Sequence, residues 1–301
     1  MTFVEGPVTV TVPATAANLG PGFDSLGLAL GLRDELVGEV TREGLEIAVE
    51  GAGAGEVPLD GTHLVVRAMR TAFDALGAQP AGLRLRCHNV IPHARGLGSS
   101  SAAIVGGLVL ARGLVAGGEL MLDDDTVFRL AAELEGHPDN VAPAFYGGFT
   151  ISGHEAGEYY SVGASVDPRI SVVVFVPPTG VPTEVARGLL PALVPHADAA
   201  ADAGRTALLV AALGGRPEHL LRATRDYLHQ DYRRPAMPDS LTLVDELRAD
   251  GFAALVSGAG PTVLAFSDGV DSAYTAKLAD RCPAGWGCHA LPIELHGARV
   301  V

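Results

Sequence analysis

Residues Pro92 to Ala103 read PHARGLGSSSAA, a run whose residue types suit one task, the holding of a chain of phosphates. Glycines let backbone N–H groups turn toward an anion, and serines add hydroxyl donors. A P-loop would close on Gly-Lys-Ser/Thr. Here Ser99, Ser100 and Ser101 follow Gly98, and Lys277 is the sole lysine among the chain's 21 basic residues. The positive charge must then come from a helix N-terminus, worth about half an elementary charge, and from a metal ion. A plain flexible turn with a serine cap is the competing reading of these residues.

Three more segments carry chemistry-bearing groups. PATAANLGPGFD (Pro13 to Asp24) sets Asn18 and Asp24 beside glycines, as turns do, but its Ala, Leu and Phe residues predict a buried loop. A buried loop needs a reason. EGHPDN (Glu135 to Asn140) gathers two carboxylates, a histidine and a carboxamide. Magnesium takes carboxylate and phosphate oxygens, which points to Glu135; Glu133 would face another side of a helix. His137, next to a proline, reads as solvated or capping, while Asp139 and Asn140 could reach polar groups of a substrate. SGAGPT (Ser257 to Thr262) either turns a hairpin or sets bare backbone against a ligand. Arg187, and Arg233 or its neighbour Arg234, could fork onto a carboxylate or phosphate.

The elements that position these residues follow from periodicity. Val8 to Val12 alternates as a strand, and Glu35 to Thr41, Gly44 to Gly51 and Leu83 to His88 follow as further strands. Thr62 could cap a helix from His63 to Leu76 that Gly77 ends. The glycine loop feeds a helix from Ser100 to Leu114, and Asp123 to Glu135 forms the next. GHPDNVAPAFYGGF breaks that helical pattern and leads to a weak strand near Thr150. Beyond residue 160, Ile170 to Val176 is apolar apart from Ser171 and predicts a buried strand. Helices are expected over 183–190, 201–213, 219–228, 241–250 and 271–282, with strands over 252–256, 263–266 and 287–295. Strands and helices mix without the alternation of a doubly wound sheet, so the fold class is α+β. Two units are expected, residues 1–160 and 161–301.

Composition sets limits. Hydrophobic residues make up 48% and charged residues 19%, ample for a core. A net charge of −14 argues against nucleic-acid binding. Cys87, Cys282 and Cys288 lack CxxC spacing, which argues against a zinc site and for a reducing compartment. The N-terminus lacks a secretion signal and no window is long enough to span a membrane, so a cytoplasmic protein is expected.

Taken together these segments resemble the GHMP family of small-molecule kinases over nearly the whole chain. PHARGLGSSSAA is similar to that family's phosphate loop, with a third serine where alanine is common, and VSGAGPT to its C-terminal glycine motif. PATAANLGPGFD and EGHPDNVAPAFYGGF resemble more closely the branch that phosphorylates L-homoserine. The resemblance implies a two-domain α+β fold, an N-terminal ATP-binding unit and a ferredoxin-like C-terminal unit, with the active site in a cleft between them. It implies that ATP lies along Pro92, His93, Ala94, Arg95, Gly96, Leu97, Gly98, Ser99, Ser100, Ser101 and Ala102. Mg²⁺ would be held by Ser99 first, Ser100 second, and Glu135. L-Homoserine would meet Asn18, Asp24, Asp139, Asn140, Arg187, Arg233 and the backbone at Gly258, with Asp139, Arg187 and Ser99 nearest the reaction. Adenine contacts are not assignable, because the asparagine common near His63 is absent. Relatives suggest a homodimer. A GHMP kinase for another hydroxylated metabolite, or a non-catalytic binder of the same fold, are the alternatives.

Overall fold

The computed structural model describes residues 2–301. In chain order the first half contains β1 (Val8–Ala17), β2 (Leu26–Thr41), β3 (Gly44–Gly51), α1 (Leu64–Leu76), β4 (Gly82–Asn89), α2 (Ser99–Gly113), α3 (Gly118–Met121), α4 (Asp124–Glu135), α5 (Pro138–Tyr146), β5 (Phe149–Glu155) and β6 (Glu158–Ala164). The second half contains β7 (Ile170–Val176), α6 (Thr183–Gly188), α7 (His196–Leu213), α8 (Leu220–Ala223), α9 (Pro238–Ala249), β8 (Ala254–Val256), β9 (Val263–Asp268), α10 (Ser272–Ala279), β10 (Gly287–Pro292) and β11 (Arg299–Val300).

These strands make two sheets. The larger runs β11-β1-β2-β4-β3, with β5 and β6 branching from the other end of β2. Besides β1 on one edge, β2 serves two neighbours on the other because it is 16 residues long: Leu26 to Leu28 pair with β5, and Glu35 to Thr41 with β4. β3 and β4 are parallel, as the α1 crossover between them requires. The smaller sheet, β10-β7-β9-β8, is antiparallel throughout. The chain passes from one sheet to the other between Ala164 and Ile170, and β11 returns to the first sheet beside β1.

β7 explains how the halves share one interior. Its alternate residues Ile170, Val172 and Val174 join the large core beneath the first sheet, while Val173 and Phe175 join a second core with α9. A strand buried on both faces reads as a near-continuous apolar run, which is the pattern seen in the sequence, with Ser171 its one polar residue.

Local signals explain most boundaries. Asp123 accepts from the Thr126 N–H and caps α4, and Gly77 ends α1 in the left-handed region at φ 68°. Four expectations need correction. Pro13 to Ala17 is strand rather than loop: β1 continues past a bulge at Pro13/Ala14, the kind of place where a strand tolerates proline. GHPDNVAPAFY does not end helical structure but starts α5, with Pro138 in its first turn, where a missing N–H costs nothing. Thr62 does not cap α1; its hydroxyl bonds Asp60, and His63 occupies the cap position. The helix expected to Leu228 stops at Ala223, because the Asp226 carboxylate accepts the N–H groups of Leu228, His229 and Gln230 and fixes a turn there.

Candidate active site

Two cavities meet at the phosphate loop. One, of about 330 Å³, is mostly apolar and is lined by Val12, Leu36, Val57, Pro58, His63 and His93 among others. The second, of about 460 Å³, is polar and lies between the halves, with Asn18, Glu135, Asp139, Asn140, Arg187 and Arg233 in its walls. Ser99 and Ser100 line both. A ligand spanning the two would therefore pass the first turn of α2, whose N-terminus favours negative charge.

The loop itself is held from both sides. Thr15 N–H donates to Leu97 O, Thr262 N–H to Arg95 O, and the Ser257 hydroxyl to Gly96 O at 2.7 Å. The C-terminal glycine motif is thus both the β8–β9 turn and a clamp on the phosphate loop, and it also presents Gly258 and Ala259 to the cleft. Gly98 sits at φ 70°, and a Cβ there would overlap the Thr15 hydroxyl. Ala94, Asn18, Leu19 and Asp24 also have φ between 50° and 66° without being glycine. Such strain concentrates where a surrounding structure over-determines the backbone, as at ligand sites.

Not every loop residue faces a cavity. His93 and Ala102 line the apolar one, and Ala94, Gly96 and Gly98 the polar one. Pro92, Arg95 and Leu97 line neither: Leu97 is buried in the core, and the Arg95 guanidinium bonds the carbonyls of His93, Pro177 and Pro178. Among the serines, Ser100 (2.6 Å) and Ser101 (3.0 Å) donate to Glu135 Oε1, and Ser99 does not. Glu133 instead pairs with Arg129 on the outer face of α4. Glu135 is therefore the carboxylate beside the loop, and Ser100 the exposed hydroxyl beside it.

The polar cleft is densely charged. Arg187 makes a two-point pair with Asp24, at 2.6 and 3.2 Å. Arg233, 1% exposed, donates to Gly258 O at 3.0 Å, as does the Asn18 amide at 2.8 Å. Burial, followed by the neighbouring Arg187, pulls the Arg233 guanidinium down to about 10. Arg234, its neighbour in sequence, points outward to Asp231 and Asp245. The Nε–H groups of both Arg187 and Arg233 are buried without a partner. Asp139 is 2% exposed; burial first, then Asp24, pushes its carboxyl up to about 7. His137 lines the cleft while holding the N-cap position of α5, and burial lowers its pKa.

Sequence reasoning missed several residues here. The Thr15 hydroxyl donates to Asn140 Oδ1 at 2.7 Å under Gly98. The Phe23 ring centre lies 5.5 Å from the Arg187 guanidinium carbon and 5.7 Å from that of Arg233, so one ring contacts both. Thr183 and Glu184 line the cleft from α6. Only the invitingly apolar company of Phe23 gave any sequence signal; the others depend on contacts across more than a hundred residues.

Comparison with known proteins agrees with this geometry. The family model described as GHMP kinases N terminal domain matches residues 63–148, and that described as GHMP kinases C terminal matches residues 208–279. Homoserine kinase of Streptomyces avermitilis is 54% identical over 299 residues, covering 99% of this chain and 97% of its own. That of Clavibacter michiganensis subsp. michiganensis is 48% identical, covering 97% and 93%. The crystal structure of homoserine kinase from Cytophaga hutchinsonii superposes with a TM-score of 0.87 at 25% identity, covering 100% and 99%. L. major mevalonate kinase, crystallised with R-mevalonate, shares the fold at a TM-score of 0.70 and 15% identity. Phosphate loop, glycine clamp and full-length similarity agree, and the chain belongs to the GHMP kinases, within their homoserine kinase branch.

Proposed function

We propose that the chain transfers the γ-phosphoryl group of ATP to the side-chain hydroxyl of L-homoserine, giving O-phospho-L-homoserine, the precursor of threonine, and ADP. The observation that carries this is the shared wall at Ser99 and Ser100: an apolar cavity and a polar, arginine-bearing cleft meet at one helix N-terminus. Adenosine fits the apolar side, where His63 has a buried unpartnered Nδ1. Its phosphates would follow Gly96, Gly98 and the serines toward the cleft.

The amino-acid end matches the two arginines of the cleft. Arg187 and Arg233 supply forked N–H groups for the carboxylate, and Arg187 must share its hold on Asp24 to do so. Asp139, with Asp24 near it, takes the ammonium. A cation there restores the ionised carboxylate that burial opposes. Asn18 fixes both Gly258 and the Asp24 backbone, and so holds the pocket's shape. Asn140, tied to Thr15, orients the turn below the loop.

Glu135 and Ser100 fit magnesium: one carboxylate and one hydroxyl, both hard oxygen donors, leave the remaining positions for phosphate and water. When bound, the ion would neutralise phosphate charge. The chain's own residues do the rest. They exclude water from a cleft between two halves, hold the hydroxyl in line with the phosphorus, and present N–H dipoles to the equatorial oxygens. The new O–P bond forms as the β,γ-bridging P–O bond breaks, and the hydroxyl proton passes late to an oxygen of the transferred phosphoryl group or to water. Positioning and electrostatics account for most catalysis of such transfers, so no strong base is required of Asp139. Free Cys87, Cys282 and Cys288 support a cytoplasmic setting.

A coupled ADP-release assay against homoserine, mevalonate, shikimate and galactose tests the reading. Release with homoserine alone is expected. Release with another alcohol instead would move the substrate assignment, and none with any alcohol would favour a binding protein of this fold.

A further inference from the structure

A third cavity, of about 820 Å³, shares no lining residue with the two at the phosphate loop. Its walls come from α7, α8, α9 and the turn at Asp226, and they bring together Arg205, Arg222, Arg225 and Arg248. Four guanidiniums at one cavity are unexpected in a chain of net charge −14, because each raises the cost of the next.

Four carboxylates, Glu218, Asp226, Asp231 and Asp245, line the same cavity, and each has a partner other than these arginines, although the charge of Asp245 is felt by Arg248. Glu218 pairs with Arg216 at 2.8 Å, and Asp231 and Asp245 both pair with Arg234, neither arginine belonging to the cavity. The Asp226 carboxylate is occupied by the three backbone N–H groups of its turn. Arg248 is anchored only to neutral oxygens, those of Leu221, Ala254 and the Thr224 hydroxyl. Its guanidinium is pulled down by burial and then by Arg225, a sign that the two positive charges feel each other. Arg225 lies over the Tyr227 ring at 5.5 Å. The Nε–H of Arg205 is buried with no partner, the same signature that Arg187 and Arg233 show in the catalytic cleft.

We infer that this arginine cavity is an anion site separate from the catalytic cleft, which takes a small polyanion carrying phosphoryl or carboxylate groups. Forked N–H donors match such oxygens two at a time, and an anion would relieve the repulsion between Arg225 and Arg248. The site touches the cleft through one structural element. The Asp226 turn that forms its wall continues into His229, whose Nε2 lies 2.8 Å from Gly20 O and whose ring centre lies 5.3 Å from that of Phe23, the ring that Arg187 and Arg233 also contact.

The test is calorimetric titration of inorganic phosphate, and separately of malate, into protein already saturated with L-homoserine and the magnesium complex of a non-hydrolysable ATP analogue. With the cleft filled, at low ionic strength, at least one of the two anions is expected to bind with one-to-one stoichiometry, and the stronger arm identifies the chemistry. Arg222 and Arg225 are exposed, and the Tyr227 ring is the side chain that Arg225 covers, so the R222A/R225A protein should fold and bind the ATP analogue as the wild type does. Its affinity for the anion should fall at least tenfold. Binding of neither anion to the wild-type ternary complex, or equal binding by R222A/R225A, would overturn the assignment. Failure of the ATP analogue to bind would count against the kinase reading alone; the cavity is then decided by the same titration of nucleotide-free protein, where equal binding by wild type and R222A/R225A overturns it and a tenfold loss in the variant supports it.

Discussion

Replacing Asp139 with asparagine should make the empty protein more stable while crippling its hold on homoserine. The carboxyl is buried, and its rise from the ordinary 3.8 to about 7 corresponds to about 4 kcal/mol of preference for the neutral form. The sign follows from linkage. With the native value raised, the carboxyl's favourable contribution is full below pH about 3.8 and is lost as pH climbs through about 7. At pH 8 the wild-type protein therefore carries an ionised group that its own fold opposes. Asparagine keeps the shape and removes the charge, so D139N should melt several degrees higher at pH 8, with the gain shrinking toward pH 5. Substrate binding moves the other way. Loss of a charged partner for the ammonium costs about 1.5–3 kcal/mol, a rise in homoserine KM of about 10- to 150-fold, with kcat changed only a few-fold. In the wild type, kcat/KM for homoserine should fall about tenfold per pH unit below 7, the slope of a single titrating group. Differential scanning fluorimetry and the ADP-release assay over pH 5.5–8.5 read both halves. A D139N enzyme with unchanged KM and collapsed kcat would make Asp139 the base instead of the ammonium partner. Equal melting temperatures at pH 8 would show that burial does not raise its pKa as argued.

Two further outcomes are expected. Ser100→Ala and Glu135→Gln should each raise the KM for Mg·ATP, and Ser99→Ala should do so less, while calorimetric homoserine affinity without nucleotide stays the same; equal damage to both substrates would remove these residues from the phosphate side. Gly98→Ala forces a side chain onto Thr15 and strains a left-handed backbone by about 1–2 kcal/mol, so ATP-analogue affinity should drop more than tenfold, and unchanged affinity would mean that the loop does not cradle phosphate.

Much of this protein is written locally. Asp123 before an apolar period, Gly77 after one, and the nearly all-apolar run of β7 each describe their own element, because caps, periods and burial on two faces are properties of neighbouring residues. The misreadings have local causes too. Pro138 and Pro143 hid α5, since prolines usually end helices and here one opens it. A continuous apolar stretch from Leu26 hid the first half of β2, whose residues are buried beneath α5 as well as paired in the sheet.

What the chain determined by itself is the chemistry on offer: a lysine-free phosphate loop, a carboxylate at the end of α4, and arginines and aspartates for an amino acid. Tertiary structure decided which of them meet. Successive residues of a helix point about 100° apart, so only packing could set Ser100 and Ser101 rather than Ser99 against Glu135 and turn Glu133 away. Arg95 was drawn to carbonyls more than eighty residues distant, and Arg205, Arg222, Arg225 and Arg248 were gathered from three helices and a turn. Charge and residue type travel with the sequence; direction and company are fixed only when the chain closes on itself.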